Sequence, residues 1–212
     1  MISRNQSEQS RLTENPRPIS PKVMGWAQIR LGLAETPDGR LEHHSRTKEP
    51  IEEPMNDAST WTARLAALDL TLPPVATPAG SYLPAVQTGS YVYTSGQLPL
   101  VDGTTTCIGK LGEGVSVEDA AQAARLCTLN GLAAVDALVG LDRIVRVVKV
   151  VGFVASGSGF SQQPQVINGA SDLLAEIFGS AGQHARSAIG VAELPRNSAV
   201  EVEFVFEVSD SI

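Results

Sequence analysis

Hydrophobic residues recur along the chain with two different periods, and the changes of period mark out the elements. Trp61, Leu65, Ala66 and Leu68 are spaced for a short helix that ends before Pro73 and Pro74, since proline lacks the N–H and keeps its predecessor out of the helical region. Residues 81–86 and 90–95 are short runs rich in tyrosine and valine. Gln87, Thr88 and Gly89 lie between them, which predicts a hairpin whose turn uses the glycine at positive φ. Within residues 115–139, Val117, Ala121, Ala124, Thr128, Leu132, Val135 and Leu138 keep helical spacing. Ser116 and Asp119 form a capping-box pattern at the start, and Gly140 closes a long amphipathic helix.

Residues 144–154 are mostly valine, isoleucine and phenylalanine, with Arg146 and Lys149 the only charges, and predict a well-buried strand. Pro164 suits a first helical turn, after which Val166, Ala170, Leu173, Leu174, Ile177 and Phe178 form an apolar stripe ended by Gly179. Strand alternation then returns: Ala185, Ser187, Ile189 and Val191 on one face, Arg186, Ala188, Gly190 and Ala192 on the other. A turn at Leu194, Pro195, Arg196 and Asn197 leads to Val200, Val202, Phe204, Phe206 and Val208, which share a face opposite Glu201, Glu203, Val205 and Glu207. The order of strands, helix, strand, helix, strands predicts an α+β fold with one mixed sheet and both helices on one of its faces. The other face is left for a further cover, and a partner subunit is the economical one.

Charge divides the chain. There are 16 Lys and Arg against 23 Asp and Glu in 212 residues, a formal charge of −7. Residues 1–54 hold eight basic and eight acidic residues and six of the thirteen prolines, so the whole −7 belongs to residues 55–212. The first segment therefore reads as a disordered leader, with Met55 a candidate true start, and the domain as residues 55–212. An acidic domain with eight basic residues argues against a nucleic-acid partner. Two cysteines, Cys107 and Cys127, make neither a disulfide framework nor a metal pair, which points to a reduced, cytoplasmic protein without a metal. The longest apolar stretch, residues 147–155, is interrupted by Lys149 and falls far short of the ~20 residues that cross a bilayer, so no membrane partner is expected.

Arg186 is the first candidate for chemistry, as the lone guanidinium in a strand of small and aliphatic residues. A charge there requires an anion, either the carboxylate of a substrate or an internal glutamate of the neighbouring strand. Glu201 and Glu203 share a face of the final strand, and the turn at residues 194–197 is expected to bring that strand back towards Arg186, where a carboxylate orients or deprotonates a water. Tyr82, Tyr91 and Tyr93 cluster in the hairpin with Thr94, Ser95, Gly96 and Gln97 directly after them; their hydroxyls either line a ligand rim or simply pack. Asn168 and Gly169 interrupt the stripe of the second helix, so Asn168 points to solvent or reaches into a site. His184 stands two residues before Arg186 and shares its face, as a general base or a strand-end residue.

Together these residues resemble the Rid (YjgF-like) family of enamine and imine deaminases. The resemblance runs from about Pro78 to Val208. It is carried by Tyr93-Thr94-Ser95-Gly96-Gln97-Leu98-Pro99, by the strand 147–154, and above all by Ala185-Arg186-Ser187-Ala188-Ile189-Gly190-Val191-Ala192-Glu193-Leu194-Pro195 followed by Val200-Glu201-Val202-Glu203. It implies a chorismate-mutase-like fold and a homotrimer with ligand clefts between subunits. It also implies hydrolysis of 2-aminoacrylate and 2-iminopropionate to 2-keto acids and ammonia, without a cofactor, as in 2-iminobutanoate/2-iminopropanoate deaminases. On that resemblance Arg186 binds the substrate carboxylate and Glu201 holds the water. Tyr82, Ser95 and Asn168 line the cleft, and the backbone N–H of Ala188 completes the anion site. Ala188 stands where the best-characterised deaminases carry a cysteine, which marks a divergent branch. Two other readings compete: a non-catalytic trimer that binds a small carboxylate metabolite, and an endoribonuclease or translation inhibitor, which the acidic charge disfavours.

Overall fold

A computed structural model describes residues 60–210, and the leader read over residues 1–54, with Met55, lies outside them. The first element is a helix, α1 (Trp61–Ala67), whose N-cap Thr60 accepts a hydrogen bond from the Ala63 N–H. Its docking is specific: Trp61 donates from its indole to the Ile144 carbonyl at 2.8 Å and stacks edge-on against Phe178. The hairpin follows as β1 (Ala85–Thr88) and β2 (Tyr91–Thr94). It begins four residues later than the composition predicts, because Pro84 has no N–H to give a ladder. Gln87 and Thr88 pair with Val92 and Tyr91, which leaves a two-residue turn of Gly89 and Ser90. Gly89 takes the positive φ, 54°.

A second hairpin, β3 (Leu100–Val101) and β4 (Thr104–Thr105), turns at Asp102 and Gly103, both at positive φ. The Asp-Gly pair is its signal, but two flanking residues a side are too few for a visible alternation.

The long helix is α2 (Val117–Val139), capped as expected: Ser116 Oγ accepts from the Asp119 N–H at 3.0 Å. Its inner face is unusually small, with Ala120, Ala123, Ala124, Cys127 and Gly131 buried, and the helix sits close on the sheet. A Cβ on Gly131 would stand 2.7 Å from the ring of Phe204. After α2 come β5 (Ile144–Ala155), α3 (Gln163–Phe178), β6 (Ala185–Val191) and β7 (Val200–Val208).

Five strands form one mixed sheet in the order β1-β2-β7-β5-β6, with β6 parallel to β5 and the other pairs antiparallel. Long β5 pairs with β7 through two bulges, at Ile144/Arg146 and Val147/Lys149, and with β6 in unbroken register. These bulges explain why buried Ile144, Val147 and Val150 stand three apart while strict alternation starts only at Val150. Helices α2 and α3 cover one face, where Val92, Val150, Val154, Val202, Phe204 and Phe206 meet Leu132, Val135, Ile167, Leu173 and Leu174 in the core. The chain is therefore α+β, with one mixed sheet and two long helices packed on one side. Among the described residues, no helix is long and apolar enough to cross a membrane.

Candidate functional site

Register decides which side chains can meet. Val150 pairs with both Arg186 and Phe204, and Phe204 is buried under the helices, so Arg186 points to the helix side of the sheet at its edge strand. There α3 receives it. Arg186 NH1 donates to Asn168 Oδ1 at 2.8 Å and to Ser171 Oγ at 3.0 Å, two side chains three residues apart and so on one helix face. Both acceptors are neutral. Among the described residues no carboxylate pairs with Arg186, and NH2 and Nε have no protein partner. The internal ion pair, one of the two readings of this arginine, is thus not what the chain forms. The half-buried guanidinium is fixed at one nitrogen and offers its remaining edge to an incoming anion.

Asn168 itself is exposed, and its side chain turns to the arginine rather than to water. The glycine beside it has a separate task. A Cβ on Gly169 would lie 1.9 Å from the Ala121 carbonyl, so the bare backbone is what lets α3 cross α2 this closely. Gly190, four residues beyond Arg186 on the same face, leaves room for the Gln163 amide. Ala188 lies between them, half-buried against the core.

His184 extends the array. Its Nδ1 lies 2.6 Å from the Gly182 carbonyl and its Nε2 3.0 Å from Ser171 Oγ, so His184 and Arg186 do share a side of the chain and meet at one serine hydroxyl. Burial lowers the histidine's pKa from its ordinary value, and the nearby Arg186 charge acts the same way, while the hydrogen bond to Gly182 opposes them. Ser171 was not expected from the sequence. The signal that could have found it is its spacing: it lies three residues after Asn168, on the face that points to the arginine.

Glu201 is elsewhere. It pairs with Phe153, which pairs with Ile189, and these three alternate with the buried row, so Glu201 lies on the sheet face away from the helices. The turn at residues 194–197 does not bring β7 beside β6, because β5 is inserted between them. Expected proximity of Arg186 and Glu201 is corrected accordingly: within one chain they stand on opposite faces. Glu201 folds over Gly96, where a Cβ would fall 1.8 Å from Oε1, and Gly96 is held by Gln97, whose backbone exchanges two hydrogen bonds with Val202. Burial pushes the Glu201 carboxyl above its ordinary pKa, and the like charge of Glu203 adds to this.

Tyr82 and Gly96 border the same small hollow, of about 60 Å³, with Pro84, Gln97 and Arg196. The Tyr82 hydroxyl accepts from the Ala79 N–H at 3.3 Å and keeps its own proton available. Ser95 is next to Gly96, but its hydroxyl donates to the Leu83 carbonyl at 2.7 Å. The expected site residues therefore fall into two groups in one chain: Arg186, Asn168 and Ala188 with Ser171 and His184 on the helix side of the sheet, and Glu201 on its other face with Tyr82 and Ser95 near Gly96.

The open face between these groups is unusually apolar. Val86, Tyr91, Tyr93 and Ile189 are each at least 40% exposed, and Val205, Val151 and Phe153 lie in register with them. Besides Glu201, the charges in register on this surface include Arg146, Lys149, Glu203 and Glu207, and the Lys149 ammonium bonds Ser187 Oγ at 3.0 Å.

Comparison with known proteins agrees with this architecture. Residues 62–208 match the model of the YjgF/chorismate mutase-like, putative endoribonuclease family. The chain is 43% identical over 150 residues to Protein TCP17 of Trypanosoma cruzi, covering 70% of this chain and 94% of that protein. It is 35% identical over 128 residues to a 2-iminobutanoate/2-iminopropanoate deaminase of Dermatophagoides farinae, covering 60% of this chain and 86% of the other. Among solved structures, a protein of unknown function from Agrobacterium tumefaciens is 42% identical with a TM-score of 0.64, over 71% of this chain and 93% of that one. A putative endoribonuclease from Shewanella oneidensis is 37% identical with a TM-score of 0.68, over 70% and 99%.

Proposed function

Because this chain belongs to the YjgF/chorismate mutase-like family, we propose that it is a hydrolytic deaminase of small 2-imino acids, of the 2-aminoacrylate and 2-iminopropionate type, working in the cytoplasm. The observation that carries this reading is the Arg186 fork: half-buried, held by two neutral oxygens, and unpaired on its remaining edge. Such a group binds a carboxylate with two parallel hydrogen bonds. The similarity to the mite 2-iminobutanoate/2-iminopropanoate deaminase supports the choice of chemistry.

The reaction asks little of the protein once the carboxylate is neutralised. A protonated imine carbon is already electrophilic. Water held by Glu201 gives that carboxylate a proton as its oxygen bonds to the imine carbon; that proton passes to nitrogen, and as Glu201 takes the remaining hydroxyl proton the C–O double bond forms, the C–N bond breaks, ammonia leaves, and a 2-keto acid remains. Glu201 is suited to the role because its raised pKa makes it a stronger base than an ordinary carboxylate. Tyr82 and Ser95 line the Glu201 end, while Asn168 acts by orienting Arg186, with the Ala188 N–H beside it.

Since Arg186 and Glu201 occupy opposite faces of one sheet, the reading requires a second copy to bring them together. A homotrimer, with the apolar sheet faces turned inward and a cleft at each subunit boundary, does this. The test is a panel of imines generated in situ. Wild type releases keto acid above the buffer rate, and Arg186→Ala loses that release; equal rates for the two proteins would sink the proposal.

A second reading, a non-catalytic trimer that binds a carboxylate metabolite, is favoured by Ala188 and uses the same fork. Calorimetric binding of a 2-keto acid with no turnover of any imine selects it. Endoribonuclease activity, the description attached to the family and to the Shewanella structure, fits poorly with a −7 charge confined to residues 55–212.

A further inference from the structure

We propose that Ser171 and His184 are a positioning pair behind Arg186, through which capture of a carboxylate by the guanidinium is coupled to uptake of a proton at His184. This rests on the reading of Arg186 as the anion anchor. The direction of every bond in the array is forced. A carbonyl only accepts, so the proton of Nδ1 lies on the bond to Gly182. An arginine only donates, so Ser171 Oγ accepts from NH1. In the neutral imidazole Nε2 is then an acceptor, and the serine hydroxyl must give it its hydrogen. The chain runs Arg186 to Ser171 to His184 to Gly182, each group donating to the next.

Two consequences follow. First, the serine's lone pair is aimed at NH1 only because its hydrogen is engaged by His184, so the imidazole sets the guanidinium's orientation from one residue away. Second, a protonated His184 turns Nε2 into a donor and places a second cation one hydroxyl from the guanidinium. Other charged groups nearby do not offset it. Lys149 on β5 bonds Ser187 on the far face, Glu176 on α3 pairs with Arg125 of α2, and the charge that bears on the imidazole is that of Arg186. Both the burial and that cation keep His184 neutral at neutral pH. An anion seated on Arg186 removes the repulsion, so the imidazole binds a proton more readily in the complex. By linkage, affinity for the anion rises as pH falls through the His184 titration.

The full chain is titrated with pyruvate as the probe. Wild type is expected to bind about fivefold more tightly at about pH 5.5 than at about pH 8, with net proton uptake measured in buffers of different ionisation enthalpy. His184→Gln is flat over that range. Glu201→Gln retains the slope that His184→Gln loses, which separates the imidazole from the Glu201 carboxylate, whose titration is also shifted. Ser171→Ala binds more weakly at every pH, and Ser171→Thr, which restores the hydroxyl, recovers it. By NMR the imidazole resonance lost in His184→Gln titrates at higher pH when pyruvate is saturating, and does not move in Arg186→Ala. A wild-type slope retained in His184→Gln, or wild-type binding by Ser171→Ala, overturns the coupling. If Arg186→Ala binds as wild type does, or wild type binds nothing, the anion-anchor reading fails and takes this inference with it; if Arg186→Ala loses binding while His184→Gln keeps the slope, only the coupling fails.

Discussion

Arg186 is available to a ligand because the groups that hold it are neutral. A carboxylate partner would have neutralised the fork; an amide and a hydroxyl fix its plane while leaving the charge and three donor hydrogens on Nε and NH2 uncompensated. Shape matters as much as charge. Lysine has one nitrogen and cannot bond Asn168 and Ser171 while also gripping a carboxylate in the plane of the fork, so Arg186→Lys is expected to lower keto-acid release by about a hundredfold, close to the alanine variant. Glu201 presents the opposite case, a carboxyl whose charged form is disfavoured by burial and then by the charge of Glu203. Its pKa in the folded chain is raised, so the folded state keeps its proton longer than the unfolded one. The stability this confers is complete below the ordinary carboxylate range and is lost as pH rises through the raised value. At neutral pH, then, Glu201→Gln should leave the melting temperature unchanged or higher while removing activity. In wild type, keto-acid release should climb with pH through a titration above the ordinary carboxylate range, a limb that disappears in the variant. A drop in melting temperature at neutral pH would show that the carboxylate stabilises the fold instead.

Elements are held at distances that glycine sets. Helix α3 crosses α2 at Gly169, with the Ala121 carbonyl where a Cβ would go, and Gly152 of β5 similarly accommodates Ile167. Both contacts place Asn168 and Ser171 above Arg186. Gly169→Ala must push the helices apart and is expected to cost about 1–3 kcal/mol in chemical denaturation, with a further loss of carboxylate binding because the α3 face that receives the arginine shifts with it. Ser116→Ala at the start of α2 loses only the cap, about 1 kcal/mol, and is expected to leave binding intact because the Ser116 hydroxyl bonds only Asp119. The contrast between the two variants separates helix stability from helix placement. At this scale much was legible. The two long helices and strands β6 and β7 were marked by their periods, β5 by its run of β-branched residues, and the caps by Ser116 and Gly179, because apolar spacing, composition and capping are local properties. The β3–β4 hairpin and the late start of β1 were not, since strands this short carry no period of their own and Pro84 sets the boundary by the bond it cannot make.

At the scale of the whole molecule, the sheet's uncovered face is the feature that bears on function. Tyr91, Tyr93, Val86 and Ile189 stand exposed on it, and a charge in their midst should disfavour any assembly that buries them. If the proposed trimer forms through this face, Ile189→Asp shifts the sedimentation coefficient to that of a single chain and loses keto-acid release, because each proposed cleft then lacks one of its two sides. Persistence of a trimer in that variant would mean the assembly uses another surface. The same distribution of charge predicts weak RNA association that vanishes as salt is raised to physiological strength; tight, salt-insensitive binding measured by filter retention would reverse that judgement.

The sequence alone established the α+β order of elements, the two helices on one face, and Arg186, Glu201, Tyr82, Ser95, Asn168 and His184 as the residues worth weighing. Residue type and period are written along the chain, and burial of an apolar stripe follows from them directly. What only the tertiary structure decided is who meets whom. Strand order put β5 between β6 and β7, and the register past the bulges set Arg186 beside Val150 on the helix side and Glu201 beside Phe153 on the other. The partnership of Arg186 with Ser171 and His184 is of the same kind: it joins a helix to a strand and the turn before it, so it depends on how the helix lies across the sheet, and no local pattern in the sequence carries that information.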